Sequence, residues 1–261
     1  MGQRRSFRYW SRKIMVVKWI QYGLFLSALL LAACNKPNAP GCLKTRGDNT
    51  FVQHHYEQAL HFIIKDNFKI HLIQDSLNVI TVSAGSNLQS LITVENTNDS
   101  IIIDNLNKCN FVRNLSDEIE VEIHFTDLRT LTTYGYGDIT NKDTLDLHYF
   151  ELSCWKTNSK HDLTLQTDSV SFLYHLAGNT LNVSGSSRYA YFYNTGNGWM
   201  HAKSLQTERA QIHQDSSGDV EVNASDFLNL NISGSGNIHY NESVLDLFIS
   251  NQEGSGQMIP Y

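Results

Sequence analysis

Apolar and polar residues alternate along most of the chain at a period of two, the period of a half-buried β-strand. Leu228, Leu230 and Ile232 alternate with polar residues and run into Ser233-Gly234-Ser235-Gly236-Asn237-Ile238, a strand, a glycine turn and a second strand. The unit recurs at Gln211 to Gly218-Asp219-Val220, at Tyr191 to Gly198-Trp199, at Phe172 to Gly178-Asn179-Thr180 and at Leu131 to Gly137-Asp138-Ile139. The turn glycines Gly178, Gly198, Gly218, Gly236 and Gly256 follow one another at steps of 20, 20, 18 and 20 residues, and one irregular pair of turns fits between Gly137 and Gly178. Six positions before five of these glycines stand Leu131, Phe172, Phe192, Ile212 and Leu230, apolar each time.

A period near 20 residues with two short strands and no helical pattern predicts an all-β parallel β-helix, or solenoid, with one coil per repeat. Equivalent strands of successive coils then pair in parallel about 4.8 Å apart, and the Leu, Phe and Ile positions stack as inward ladders. A two-sheet antiparallel sandwich also suits short strands with frequent turns, but gives no reason for the turn register to repeat. The turn glycines Gly234 and Gly236 are expected to supply backbone freedom. Upstream, the strands predicted are Phe62 to Phe68, Lys69 to Gln74, Leu77 to Ser83, Leu91 to Glu95 and Ser100 to Asp104, and Ile119 to Phe125 alternates strictly between a dry and an acidic face.

The first 33 residues are of another kind. Arg4, Arg5, Arg8, Arg12, Lys13 and Lys18 precede the apolar run Leu24 to Leu31, with no acidic residue, as in a secretion signal. The run is shorter than the roughly 20 residues of a membrane span. Leu31-Ala32-Ala33-Cys34 reads as a lipobox, which makes Cys34 the expected lipidation site and the membrane a partner through that anchor. The organisation expected is a signal at 1–33, a tether at 34–41, an N-terminal β region at 42–125 and a repeat solenoid at 126–261, continuous with it. This describes an outer-membrane lipoprotein in the envelope of a Gram-negative bacterium, with the side of the membrane left open.

Charge narrows the partners. Taking the six basic residues of the signal from the 20 in the chain leaves 14 against 26 acidic, a net charge of about −12 with histidine neutral, which argues against nucleic acid. Beyond Cys34 the cysteines are Cys42, Cys109 and Cys154. In an oxidising compartment they allow one pair, expected between Cys42 and Cys109 because that bond would pin the N-terminal segment, while Cys154 lies in the strand Phe150 to Trp155 as a small core residue. All three reduced is the alternative.

No nucleophile triad, paired-carboxylate motif, cofactor motif or metal-ligand spacing stands out, so no catalytic residue, cofactor or metal is assigned. Asp138, Asp162 and Asp219 recur at turns, without the nonapeptide repeat of calcium-binding rolls, and read as turn formers. His54, His55, His61 and His71 read as polar strand positions rather than metal ligands. Arg46-Gly47-Asp48 is ordinary turn chemistry. The aromatics Tyr134, Tyr136, Tyr149, Tyr174, Tyr189, Tyr191, Tyr193 and Trp199 fall on adjacent coils, and some must point outward because Phe192 takes the inward slot. Of these, Tyr134, Tyr136, Tyr189, Tyr191, Tyr193 and Trp199 are candidates for stacking on sugar rings or a partner surface. A ladder of stacked rings that packs coil on coil and binds nothing is the structural alternative.

Cys42-Leu43-Lys44 after the lipobox, Lys108-Cys109-Asn110, the strand from Ile119 into Tyr134-Gly135-Tyr136-Gly137-Asp138-Ile139, and Ser233-Gly234-Ser235-Gly236-Asn237-Ile238 together resemble the head GIN domain family, also described as auto-transporter adhesins. The resemblance covers about Cys42 to Met258. It implies a secreted or lipid-anchored β-solenoid of a family with no established enzymatic activity. The chain departs from the pattern at Ser159 to Leu163 and at Asn197-Gly198-Trp199, where irregular coils are expected. The functions to be weighed are a non-enzymatic envelope binding or adhesion module, an envelope component that recognises another protein, and a glycan-active β-helix enzyme.

Overall fold

The computed structural model describes residues 45–107, 119–155 and 158–261. Cys34, Cys42 and Cys109 lie outside them, and with them the lipidation and disulfide expectations. Residues 48–106 and 119–261 belong to one compact unit.

That unit is a parallel β-solenoid of about six turns. Its strands are β1 Asn49–His55, β2 His61–Ile64, β3 Lys69–Gln74, β4 Val79–Gly85, β5 Ile92–Thr97, β6 Ser100–Asn105, β7 Glu120–Phe125, β8 Thr130–Thr133 and β9 Ile139–Asn141. There follow β10 Leu145–Trp155, β11 Lys160–Ala177, β12 Thr180–Gly196, β13 Trp199–Ser216, β14 Val220–Ile232, β15 Ile238–Tyr240, β16 Asp246–Gln252 and β17 Met258–Pro260. The one helical element among the described residues is a short 3-10 turn, Gln89–Leu91.

Two parallel stacks enclose the core. In the first, strands pair in the order β6, β2, β8, β10, β11, β12, β13, β14, β16, and the register joins Ile101, Phe62, Leu131, Leu152, Phe172, Phe192, Ile212, Leu230 and Ile249 into one ladder. In the second, the order β7, β3, β9, β11, β12, β13, β14, β15, β17 joins Val121, Ile70, Ile139, His161, Leu181, Met200, Val220, Ile238 and Met258. Strands β11 to β14 run through both stacks and bend at a corner. Apart from His161 the ladders are apolar, and most rungs are wholly buried. Each such side chain contributes about 1.5–3 kcal/mol of burial, more than its strand preference alone.

The repeat does not march in chain order at its start. The coil β2–β3 sits between the coil β6–β7 and the coil β8–β9. The starting end is closed by antiparallel strands, β5 on β6, and β4 on β7 with β1 on β4.

The glycines are needed for a reason other than the one expected. Neither Gly234 nor Gly236 has a positive φ. A Cβ on Gly236 would stand 2.1 Å from the Gly218 carbonyl oxygen, one on Gly218 2.2 Å from that of Gly198, and one on Gly256 2.1 Å from that of Gly236. The turns stack backbone on backbone, and a side chain has no room between coils. Where the resemblance faltered, β11 pairs with β12 without a break from Lys160 to Thr167, whereas the pairing of Trp199 with Thr180 is followed at once by a register shift between Asn182 and Ser184, opposite His201 and Ser204. Further register shifts fall between Tyr174 and Ala177, Ala202 and Gln206, Thr207 and Arg209, and Leu230 and Asn231.

Candidate binding surface

Because side chains alternate, the residues between the inward rungs of the first stack form a flat outer face. One column there runs Tyr149, Ser169, Tyr189, Arg209, Phe227, and the next Glu151, Ser171, Tyr191, Gln211, Asn229, Phe248. Tyr189 is 37% exposed and donates to Gln211 Oε1 at 3.3 Å. Tyr149 donates to Glu151 Oε2 at 2.7 Å. The Arg209 guanidinium lies 5.4 Å from the Phe227 ring centroid.

Beside this face a stack of rings climbs the solenoid. Tyr134 and Trp155 are 6.4 Å apart at 18°, Trp155 and His175 3.9 Å at 13°, His175 and Tyr193 5.2 Å at 46°, and Tyr193 and His213 5.0 Å at 17°. Trp155, His175 and Tyr193 each have a ring on both sides, so their edges and not their faces look outward. Sugar stacking needs a free face. Tyr189 and Tyr191 differ, because their neighbours along the columns are Ser169 and Arg209, and Ser171 and Gln211.

The six candidate aromatics therefore separate. Tyr134 and Tyr193 join the ring stack, Trp199 stacks on His201 at 6.2 Å, Tyr136 stands 55% exposed in the turn after β8, and Tyr189 and Tyr191 lie together on the flat face. Tyr174 is not outward at all: two residues after Phe172 it shares the inward parity and is wholly buried. Trp155, His175 and His213 were missed, although the 20-residue period relates Trp155 to His175 and Tyr193 to His213.

Inside, opposite the ring stack, the register aligns Thr133, Cys154, Tyr174, Asn194 and Gln214 as a polar column flanked by Ile64 and Ile232. The Tyr174 hydroxyl lies 2.6 Å from His161 Nδ1, with Cys154 Sγ 4.0 Å from the same nitrogen. Burial pushes the His161 pKa down to about 3, against a smaller opposing pull from Asp162, and pushes the Cys154 thiol up to about 12. Burial likewise raises Tyr174 far above the usual phenol range. All three are neutral at ordinary pH, and Nδ1 and the Tyr174 hydroxyl share one hydrogen bond. Asn194 and Gln214 donate to the carbonyls of Gly198 and Gly218, which fastens the column to the turns. The whole column is buried in the core.

The outer face of the second stack is laced by bonds between coils. His71 Nδ1 meets Thr140 Oγ1 at 2.9 Å, Asn182 donates to Asp162 at 2.7 Å, and His201 and His239 meet Glu221 and Asp219, each at 3.2 Å. His61 meets Thr130 Oγ1 at 2.8 Å. Among the described residues no group of three or more His, Cys, Asp or Glu side chains is arranged to hold a metal ion.

The family described as "Putative auto-transporter adhesin, head GIN domain" matches residues 62–243. The chain belongs to the head GIN domain family. This head GIN chain superposes on a structure from Bacteroides fragilis NCTC 9343, described as a putative adhesin, with a TM-score of 0.74 and 15% identity over 82% of this chain and 97% of that one. A structure from Parabacteroides distasonis ATCC 8503, described as a putative lipid binding protein, matches with a TM-score of 0.62 and 20% identity over 82% and 97%. A structure from Parabacteroides merdae ATCC 43184, described as a putative adhesin, matches at 0.58 and 13% over 82% and 98%. At these identities the likeness is one of fold. No curated protein matches the chain. No helix among the described residues is long and apolar enough to cross a membrane.

Proposed function

We propose that this head GIN chain is a non-enzymatic binding module of the cell envelope, held at an outer membrane by acylation of Cys34, whose flat face captures a neutral glycan. The observation that carries the reading is the pair Tyr189 and Tyr191, two residues apart on one strand and therefore side by side. Along the columns they are flanked by Ser169 and Arg209, and by Ser171 and Gln211, a mixture of aromatic ring with amide, hydroxyl and guanidinium donors that can hold a sugar ring. The rigid parallel sheet holds these groups at a fixed repeat of about 4.8 Å, so little ordering entropy is lost on binding. The signal and lipobox support the envelope location, and the family description supports a binding role.

Binding of the full chain to a panel of neutral bacterial and host polysaccharides tests it. Capture that is lost in a Tyr189→Ala/Tyr191→Ala variant of unchanged circular dichroism is expected, and a blank panel for the unaltered chain overturns the glycan.

A second reading, recognition of another envelope protein, is favoured by β1. This strand pairs with β4 along one edge, its residues 51–55 pair with no second strand among the described residues, and it exposes 69% of Phe51 and 39% of Val52. An open strand edge is where a partner adds a strand. Crosslinking from residue 51 into one envelope protein, with the polysaccharide panel blank, would favour it.

A further inference from the structure

The edge of the solenoid where the first stack turns into the second carries exposed large apolar side chains on successive coils. Tyr134 is 51% exposed, Tyr136 55%, Trp155 40%, Leu176 73% and Trp199 44%, and each lies in such a turn or next to it. The corner on the other side of the coils, where the second stack turns into the first, presents Asp143, His148, Arg188, Glu208 and Asp226 to solvent instead. There the side chains of His148 and Arg188 both bond Asp168, a solvated chain of charge.

Leu176 is held out by its backbone. Its φ is +52°, in the left-handed region that a leucine seldom adopts, and it lies within the one register shift between β11 and β12, from Tyr174 to Ala177. The clamp is the buried Thr195 hydroxyl, which accepts from the Leu176 N–H at 2.9 Å and donates to the Tyr174 carbonyl at 3.0 Å. A strained, internally braced bulge that aims an aliphatic side chain at solvent marks a contact surface.

We infer that this turn edge rests on the surface of a lipid bilayer. Tyrosine and tryptophan, with an apolar ring and one polar tip, are the side chains that settle at the boundary between acyl chains and head groups, and a leucine beside them enters further. The stacked rings of this edge turn their own edges outward, which does not suit sugar stacking. The inference rests on the proposed Cys34 anchor for proximity. From Cys34 to Asp48 the chain spans at most about 50 Å when extended, while β9 lies four strand spacings from β1 through β4, β7 and β3, about 20 Å. The anchored body can therefore lay this edge on its own membrane, adding apolar burial to the acyl chains.

Once the signal is removed, Trp155 and Trp199 are the tryptophans that remain, since Trp10 and Trp19 precede Cys34. The processed, acylated protein is mixed with phosphatidylcholine vesicles with and without a shallow doxyl-labelled lipid. At least twofold quenching of tryptophan fluorescence by the doxyl lipid is expected. Quenching should drop by more than half in Leu176→Gly, a substitution the positive φ accommodates. Flotation with the vesicles but no quenching overturns the edge contact and leaves the anchor standing. Quenching without stable flotation supports the edge and removes the anchor, and absence of both overturns the two together. Equal quenching in Leu176→Gly, or unquenched tryptophans with residue 176 crosslinked to a protein, also overturns the contact.

Discussion

The Tyr174 hydroxyl and His161 Nδ1 lie 2.6 Å apart, both side chains wholly inside the solenoid. An imidazole in an otherwise apolar ladder is kept by this one bond, which meets the cost of burying a polar ring. Folding holds the imidazole neutral, with its pKa near 3, while the unfolded chain takes up a proton below 6.5. Stability should therefore fall as pH drops below 6.5, by about 1.4 kcal/mol per pH unit at most, and the effect vanishes above it. Asp219 adds to the loss at lower pH: burial alone would raise its pKa, but the bonds from Asn237 and His239 outweigh this and bring it below the usual carboxylate range. Urea unfolding between pH 7 and pH 4 checks this. The double variant His161→Leu/Tyr174→Phe, which removes both partners, should flatten the slope by about one proton.

Gly236→Ala places a methyl group 2.1 Å from the Gly218 carbonyl oxygen. Relief requires separating two coils, and a loss of about 3 kcal/mol or more is expected, as for overpacking at its severe end. At Gly178 the nearest atoms lie 3.2 Å away and belong to the Asn158 and Asn197 side chains, which can move. Gly178→Ala should cost less than about 1 kcal/mol. Thermal unfolding of the two variants side by side makes the comparison.

Phe172 and Phe192 are neighbouring rungs of one ladder, with ring centroids 5.7 Å apart and both fully buried. Either substitution to alanine should cost about 3–5 kcal/mol. The double variant should lose measurably less or more than the sum, because the two rings share one contact. Denaturant midpoints at constant slope measure it.

Cys154 is free, fully buried and far above the ordinary thiol range in pKa, pushed there by burial despite the Thr133 hydroxyl. It should resist iodoacetamide in the native protein at pH 8 and react at once in guanidinium chloride, since the thiolate is the reactive form. Peptide mapping by mass spectrometry separates it from the other cysteines. Labelling of Cys154 in the native protein would show that the polar column opens.

Much of the binding surface was legible only in part. Tyr189 and Tyr191 could be placed on an outward face from parity with Phe192. The same parity puts Tyr174 inside, two residues from Phe172, a step that grouping the tyrosines by coil passed over. The ring stack was hidden because it crosses residue types: the 20-residue register joins Trp155 to His175 and Tyr193 to His213, but Tyr193 is in register with Leu173, and only a diagonal contact across the register break brings His175 to it. The strain at Leu176 leaves no mark in the sequence, since it arises from a register break and a hydroxyl donated by the next coil.

What the sequence determined by itself is whatever repeats: the period, the inward ladder from Leu131 to Leu230 and the turn positions, because each coil must present the same faces to the next. The tertiary structure decided the rest. Strands β2 and β3 insert between later coils because a parallel rung accepts any segment of matching apolar parity, whatever its place in the chain. Gly218, Gly236 and Gly256 are indispensable through the close approach of one turn to another, a distance that no single turn contains.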